Sequence, residues 1–350
     1  MRKKTRVIKV GDKFIGGSNP IWVQSMTNTK TSDIDSTIRQ ILSLEKYGCD
    51  IIRCAITSLE DARAIEKIKE KVNIPIIADI QFDHGLALES IKYGIDGLRI
   101  NPGNIGSLDK VKEVVNACKE KNLSIRIGVN SGSVKKEFLE KYNGVNENSL
   151  VFSALEQVEL LEGLDFHNIK ISLKASSVRL TIDSYKKISK MVDYPLHLGV
   201  TEAGTPFKGT IKSSVGIGTL LAMGIGDTLR VSLTTNSLEE EVKVGNEILK
   251  SLGLIESGIE FISCPTCART NIDLIEIANK VESALEERKD NIKVAIMGCA
   301  VNGPGEAKEA DIGIAGGNKE AIIFSKGKII KKVKENMVVE ELLKEIDKLK

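Results

Sequence analysis

Between about residue 20 and residue 250, short β-branched runs alternate with segments whose apolar residues recur at helical spacing. This alternation predicts a parallel sheet with crossover helices. Eight strands are expected, at Ile21–Met26, Asp50–Ile56, Ile76–Ile80, Gly97–Asn101, Ser124–Val129, Ile169–Leu173, Leu196–Val200 and Thr228–Leu233, each followed by a helix. In the first helix Ile34, Ile38, Ile41 and Leu42 form an apolar stripe, and Ser58-Leu59-Glu60-Asp61 reads as a capped helix start with early acidic charge. Eight βα units in ~240 residues fit a closed (β/α)8 TIM barrel, with an open doubly wound sheet as the alternative. Ahead of the first strand, Arg6–Val10 and Lys13–Ile15 flank Gly11-Asp12, which predicts a small hairpin closing the barrel's bottom.

The texture changes after a last barrel helix near Leu238–Lys250. A helix near Ile272–Glu287, a strand near Lys293–Met297, a glycine-rich loop, a strand at Lys328–Val333 and a helix at Val338–Leu349 follow. In that last helix Val339, Leu342, Leu343, Ile346 and Leu349 suit a docked apolar face. The expected organisation is a barrel domain over 1–250 with its N-terminal hairpin, a linker over 251–262, and a smaller α+β domain over 263–350.

Composition narrows the function. Lys and Arg total 50 against 48 for Asp and Glu, so the net charge of +2 gives no general field for polyanions. Aromatic residues make up 4%, too few for a stacking platform, and nucleic acid is not an expected partner. No run approaches the ~18 apolar residues of a membrane helix, and the basic start Met1–Arg6 is not followed by a signal-like apolar core. A cytoplasmic protein is expected, so the six cysteines should be thiols or metal ligands.

In a βα barrel the chemistry sits at the carboxyl ends of the strands. Polar residues collect there: Arg53 in the second strand, Asp79 and Gln81 at the third, Arg99 and Asn101 at the fourth, Arg126 and Asn130 at the fifth, Lys174 at the sixth, Thr201 and Glu202 at the seventh, and Arg230 in the eighth. Equal parity turns Arg99 and Asn101 to one side, and Arg126 and Asn130 likewise. Any single arginine is ordinarily solvated or ion-paired. Four arginines and a lysine on five strands imply an anionic ligand, since clustered cations are offset by charge-assisted hydrogen bonds to one. A phosphate or diphosphate ester is the natural candidate. No glycine-rich nucleotide loop opens a helix after the first strand, so ordinary nucleotide sites lack support.

The second feature is Cys264-Pro265-Thr266-Cys267 together with Cys299 in Gly298-Cys299-Ala300-Val301-Asn302-Gly303-Pro304-Gly305-Glu306. Three thiolates can seat three irons of a 4Fe–4S cluster, with Glu306 as candidate fourth ligand. A redox dithiol and a zinc site stand as alternatives; the dithiol leaves Cys299 unexplained, and zinc lacks a histidine in this domain. Cys49, Cys54 and Cys118 read as buried structural thiols. A non-catalytic electron carrier has no need of a polycationic barrel mouth, while a phosphate-binding synthase with a structural zinc module remains a rival enzyme.

Five segments in order carry a resemblance: Pro20–Thr29, Leu98–Gly106, Leu198–Gly204, Ser263–Arg269 and Cys299–Glu306. Over almost all 350 residues the chain resembles the 4-hydroxy-3-methylbut-2-enyl diphosphate synthase family, in its short bacterial form. The resemblance implies reductive ring opening of 2-C-methyl-D-erythritol 2,4-cyclodiphosphate, with electrons from flavodoxin or ferredoxin. It also implies a barrel, a cluster domain and a homodimer. Arg53, Asp79, Arg99, Asn101, Arg126, Asn130, Lys174, Thr201 and Arg230 are then expected to hold the substrate, Glu202 to supply a proton, and Glu306 to act as an exchangeable iron ligand. Where the family usually carries a histidine after Ala78-Asp79-Ile80, this chain has Gln81, and an aromatic Tyr three places on is replaced by His84. Gln cannot shuttle a proton, which leaves His84 as a substitute or as an ordinary residue at a helix start. His167 is expected at the surface and His197 in the core.

Overall fold

The computed structural model describes residues 2–256, 258–286, 288, 290–299 and 307–349, and divides into two compact units, Met1–Leu254 and Ile255–Lys350. The chain opens with the hairpin β1 (Ile8–Val10) and β2 (Lys13–Ile15). Its two-residue turn places Gly11 at φ 58°, where a Cβ would lie 2.7 Å from Pro75, so only glycine fits. Ile8, Val10 and Ile15 pack on Ile51, Ile77 and Trp22, forming an apolar plug at the amino ends of the barrel strands.

Eight parallel strands follow: β3 (Trp22–Met26), β4 (Ile51–Ala55), β5 (Ile76–Asp79), β6 (Gly97–Ile100), β7 (Ser124–Asn130), β8 (Ile169–Lys174), β9 (His197–Leu198) and β10 (Thr228–Leu229). Their order is β8-β7-β6-β5-β4-β3-β10-β9, and a parallel bridge between Ile171 and Leu196 joins the two ends. The expected TIM barrel is thus found, and the open sheet is not. Helices α1 (Ile34–Lys46), α2 (Leu59–Lys69), α3 (His84–Lys92), α4 (Leu108–Glu120), α5 (Lys136–Lys141), α6 (Glu147–Gly163), α7 (Val178–Ile188), α8 (Pro206–Ala222) and α9 (Leu238–Ser251) surround it. Ser58 caps α2 by accepting from the Asp61 amide, as its sequence predicts.

The stripe expected for α1 is rotated. Thr37, Ile41 and Leu44 are buried while Leu42 is 41% exposed. The Thr37 hydroxyl bonds Thr29 at 2.8 Å and the Lys30 carbonyl at 3.2 Å, which turns that face inward. Strands β9 and β10 are also shorter than their apolar runs suggest. Regular pairing lapses at Gly199, whose backbone lies against Lys174 and the Arg230 carbonyl.

The second unit is a five-stranded mixed sheet, β11 (Ile259–Ser263), β12 (Ile292–Met297), β13 (Ile312–Gly316), β14 (Glu320–Ser325) and β15 (Lys328–Lys334), in sequential order. The first three strands are parallel and the last two antiparallel to their neighbours. Helices α10 (Leu274–Leu285) and α11 (Val338–Asp347) bury Ile277, Val281, Val338, Leu342 and Ile346 against it. Leu349 is exposed, so the docked face of α11 is one turn shorter than the sequence stripe. β11 occupies part of the stretch expected as linker. Among the described residues no helix is long and apolar enough to cross a membrane.

Candidate active site

Alternation along each strand decides what fills the barrel. Register pairs Met26 with Arg53, Asp79 with Arg99, Arg99 with Arg126, and both Arg126 with Lys170 and Asn130 with Lys174. These residues therefore share the inner face, together with Arg230 from β10. Among the inward positions that carry no side chain, two make room for a cation. A Cβ on Gly128 would lie 2.9 Å from Arg99 Nε, and one on Gly199 would lie 2.6 Å from Lys174 Nζ.

The resulting cluster has six cations, Lys170 among them, and few acids. Asp79 faces two of them, with Oδ1 3.3 Å from Arg99 Nη1 and Oδ2 3.6 Å from Arg53 Nε. Glu241 from α9 lies 3.5 Å from Arg230 Nη2. Arg53 otherwise donates to the Met26 thioether at 2.8 and 3.2 Å, a weak acceptor. Arg126 is 3% exposed, and its Nε and Nη2 have no partner among the described residues, as is true of Nε in Arg99 and Arg230. Burial first, and the neighbouring arginines second, push Lys174 and Arg126 well below their ordinary values; burial lowers Arg53 to about 10 against the pull of Asp79. Such a set is stabilised by an anion that accepts from several guanidinium groups together.

The other expected contacts differ in setting. Asn101 uses its side chain to accept from the Gly103 amide at 3.2 Å, and the Asn130 amide donates to the Ser133 hydroxyl at 3.1 Å, so both shape loops at the strand ends. Thr201 follows β9, its amide bonded to the Ala175 carbonyl at 3.3 Å. Glu202 beside it is exposed, makes no ion pair among the described residues, and has a left-handed backbone at φ 53°. A non-glycine residue in that conformation is strained, which is common at functional sites. Gln81 is exposed, and His84 is the first residue of α3, behind the Asp83 cap and 3.8 Å from both Asp83 and Glu113. His167 is half-exposed, hydrogen-bonding Tyr194 at 3.1 Å.

Two inner residues were not anticipated as site groups. Lys170 is 1% exposed, and its Nζ has no partner among the described residues. Its i, i+4 spacing to Lys174 on one strand is the signal that places both on the inner face. His197 is fully buried, as expected for a core residue, but it faces the cations: Nδ1 bonds the Thr228 hydroxyl at 2.8 Å, while Nε2 has no partner among the described residues.

In the second unit the parallel pairing of β11 and β12 sets the thiols. Ser263 pairs with Ile296, so Cys264 and Cys299 emerge near the carboxyl edge of adjacent strands. Cys267 lies one turn on, its amide donating to the Thr270 hydroxyl at 3.2 Å. All three cysteines line a cleft of about 380 Å³ with Pro265, Arg269 and Met297. The Gly298 amide donates to Cys264 Sγ at 3.1 Å, and the backbone and side chain of Arg269 pull the Cys267 thiol below its ordinary value. Among the described residues no three ligating groups converge on a single ion. Three separated thiols around one cleft, two of them polarised by donors, fit a polynuclear iron–sulfur group, which takes one thiolate per iron. Glu306 lies outside the described residues. Cys49, Cys54 and Cys118 are buried, and burial pushes each up to about 12, which suits structural thiols.

Comparison with known proteins agrees with both halves. The GcpE TIM-barrel domain matches residues 5–246, and the GcpE protein C-terminal domain matches residues 260–348. A 4-hydroxy-3-methylbut-2-en-1-yl diphosphate synthase (flavodoxin) from Clostridium perfringens is 61% identical over 346 residues, covering 99% of each chain. One of the same description from Caldanaerobacter subterraneus is 60% identical, covering 100% of this chain and 98% of its own. Among solved structures, dihydropteroate synthase from Stenotrophomonas maltophilia superposes with a TM-score of 0.51 at 13% identity, over 70% of this chain and 97% of its own, a likeness of fold alone. With both domains matched in order and relatives near 60% identity along almost its whole length, the chain belongs to the GcpE family of iron–sulfur enzymes.

Proposed function

We propose that Arg53, Arg99, Arg126, Lys174 and Arg230 hold the diphosphate of the substrate at the barrel mouth, supported by Asp79, Asn101, Asn130 and Thr201. The reaction is that of the family: reductive ring opening and dehydroxylation of 2-C-methyl-D-erythritol 2,4-cyclodiphosphate to 4-hydroxy-3-methylbut-2-enyl diphosphate. Two electrons and two protons enter and one water leaves. The observation that carries the assignment is the set of donors on Arg99, Arg126 and Arg230 without a partner among the described residues, directed into one interior beside Asp79 and Glu241.

Cys264, Cys267 and Cys299, with Glu306 as exchangeable fourth ligand, would hold a 4Fe–4S cluster, which supplies single electrons and a Lewis-acidic iron when bound. The chain's own residues do the rest. The guanidinium groups orient the ring and stabilise charge gathering on the diphosphate oxygen as the carbon–oxygen bond breaks. Asp79 keeps Arg53 and Arg99 apart at a fixed spacing, so their donors are set before the substrate arrives. Glu202, exposed at the end of the seventh strand and free of an ion pair among the described residues, would give a proton to the departing hydroxyl. Flavodoxin is the electron donor we assign, with ferredoxin as the other single-electron carrier of the same class, and the setting is cytoplasmic.

A homodimer completes the picture. Barrel strands run toward the mouth and helices run back, so α9 delivers the chain to the bottom. Residues 252–258 separate α9 from β11, a reach of at most ~25 Å. Such a dimer, closed by two-fold symmetry, would let each copy's cleft serve the other copy's barrel. Phe207, Ile211 and Val215, an exposed apolar stripe on α8, offer a face for such a contact.

Anaerobic turnover of the cyclic diphosphate with reduced flavodoxin tests the assignment. Wild-type protein should release the linear allylic diphosphate. Arg53→Ala should keep its iron and sulfide but lose substrate binding, whereas Cys264→Ser should lose the metal. Undiminished substrate affinity in Arg53→Ala would remove the barrel mouth from the reading.

A further inference from the structure

Beneath the mouth, the barrel interior holds a second polar level that the reaction above leaves unused. Lys170 is the residue next to Arg126 in register, two inward positions below Lys174 on the same strand, with Ser172 between them. On the other side stands His197, with Thr228 bonded to it. Tyr185 packs behind from α7 and spends its hydroxyl on the His197 carbonyl. None of these neighbours offers Lys170 a negative charge. Among the described residues the carboxylate that acts on it is Asp227, and Asp227 is already engaged by Arg2 at 2.7 Å, by the Thr5 hydroxyl at 3.0 Å and by the Leu196 amide at 2.9 Å.

Asp227, just before β10, is itself at this lower end. The hairpin residues Ile8, Val10 and Ile15 close the bottom with Trp22, Ile51 and Ile77, all apolar. A charged Lys170 in the substrate-free barrel would sit desolvated beside Arg126, with Lys174, Arg53 and Arg99 above. The cyclic diphosphate assigned to the mouth above would bring two negative charges to this level.

We propose that Lys170 is a positioning residue that takes up a proton from solvent as the diphosphate enters, so that the bound substrate is drawn down onto Arg126 by a charge the empty barrel does not carry. The inference rests on the assignment of the mouth to a diphosphate. Its atoms balance simply: a neutral amine and one solvent proton become an ammonium, and no bond to substrate forms or breaks. The direction of the Lys170 shift agrees, because burial first and Arg126 second lower it to about 7 without substrate. An anion overhead reverses the second cause. Binding is then tightest at and below neutral pH and weakens as pH rises from about 7 toward the higher value of the complex, by up to ~10-fold per unit.

Calorimetric titration of the oxidised holoenzyme with the cyclic diphosphate, between about pH 6 and about pH 9 in buffers of different ionisation enthalpy, tests this without turnover. The wild type should take up a substantial fraction of one proton per site above neutral pH. Lys170→Met should bind more weakly, with that uptake and the matching pH slope gone. Lys170→Arg, charged throughout, should also lose the slope. If wild-type binding moves no protons, the proposal fails on that measurement alone, whatever the variants do. Uptake that persists in Lys170→Met would assign the proton to Lys174 or His197 and overturn the proposal while leaving the mouth's assignment intact. Failure of the wild type to bind at any pH would overturn both.

Discussion

Arg126 is the residue at which function and stability oppose each other most directly. Its guanidinium is buried with two unpartnered donors among the described residues, a state that is costly without an anion. Arg126→Met should therefore raise the denaturant midpoint of the substrate-free protein, by about 1–3 kcal/mol, as replacing a buried charge by an apolar side chain often does. The same variant should weaken binding of the cyclic diphosphate by ~2–5 kcal/mol, read by calorimetry. Lys170 gives a pH-dependent counterpart. Its folded value is lowered to about 7, while in the unfolded chain it stays protonated to ~10.4. Between those values the unfolded state binds more protons, so this residue's contribution makes stability rise with pH, by up to ~1.4 kcal/mol per unit. Denaturant titrations across that window should show a steeper rise in wild type than in Lys170→Met. The mouth cations were legible because they recur on five barrel strands, toward whose carboxyl ends barrel chemistry is expected, although Arg126 lies as deep as Lys170. Lys170 and His197 were not read as site groups, since each stands early in its strand and their convergence depends on barrel closure, which no single strand encodes.

At the level of elements, the inner face depends on two glycines. A Cβ at 199 would meet the Arg230 carbonyl at 2.8 Å as well as Lys174 Nζ at 2.6 Å, and the carbonyl cannot move without disturbing β10. Gly199→Ala should lower stability by ~1–3 kcal/mol, the usual range for overpacking. The nearest atoms that a Cβ on Gly128 would meet belong to the guanidinium of Arg99, the far end of a flexible side chain, so Gly128→Ala presses first on that group. It should leave thermal stability nearly unchanged and weaken substrate binding by roughly 10-fold through a displaced Arg99. Equal losses of stability in the two variants would show that Gly128 serves packing rather than the mouth. Strong β-branched runs made β3 to β8 readable within a residue or two. In the second unit β13 escaped notice because Gly313 and Gly316 interrupt its apolar pattern; a Cβ at 313 would lie 2.6 Å from the Phe324 ring. β11 was hidden in a stretch resembling a linker, where Ser257-Gly258 and Glu260 dilute the hydrophobic signal.

For the whole molecule, the proposed homodimer would make assembly part of the active site. Mixed dimers of Arg53→Ala and Cys264→Ser chains should regain activity, since one of their two composite sites carries neither lesion. Verified mixed dimers that stay inactive would show that each site is built within one chain. The order of units along the chain and the thiol spacing were readable from sequence, whereas the cleft depends on the parallel pairing of β11 with β12, a long-range contact. The central claim is that a diphosphate held by the barrel cations reaches the iron–sulfur group of the thiolate cleft. The most direct measurement is the electron paramagnetic resonance spectrum of the reduced cluster, recorded anaerobically with and without the cyclic diphosphate. A changed spectrum in wild type, with none at the same concentration in Arg126→Met of equal iron content, is the expected result; an unchanged wild-type spectrum, with binding confirmed by calorimetry, would contradict the account.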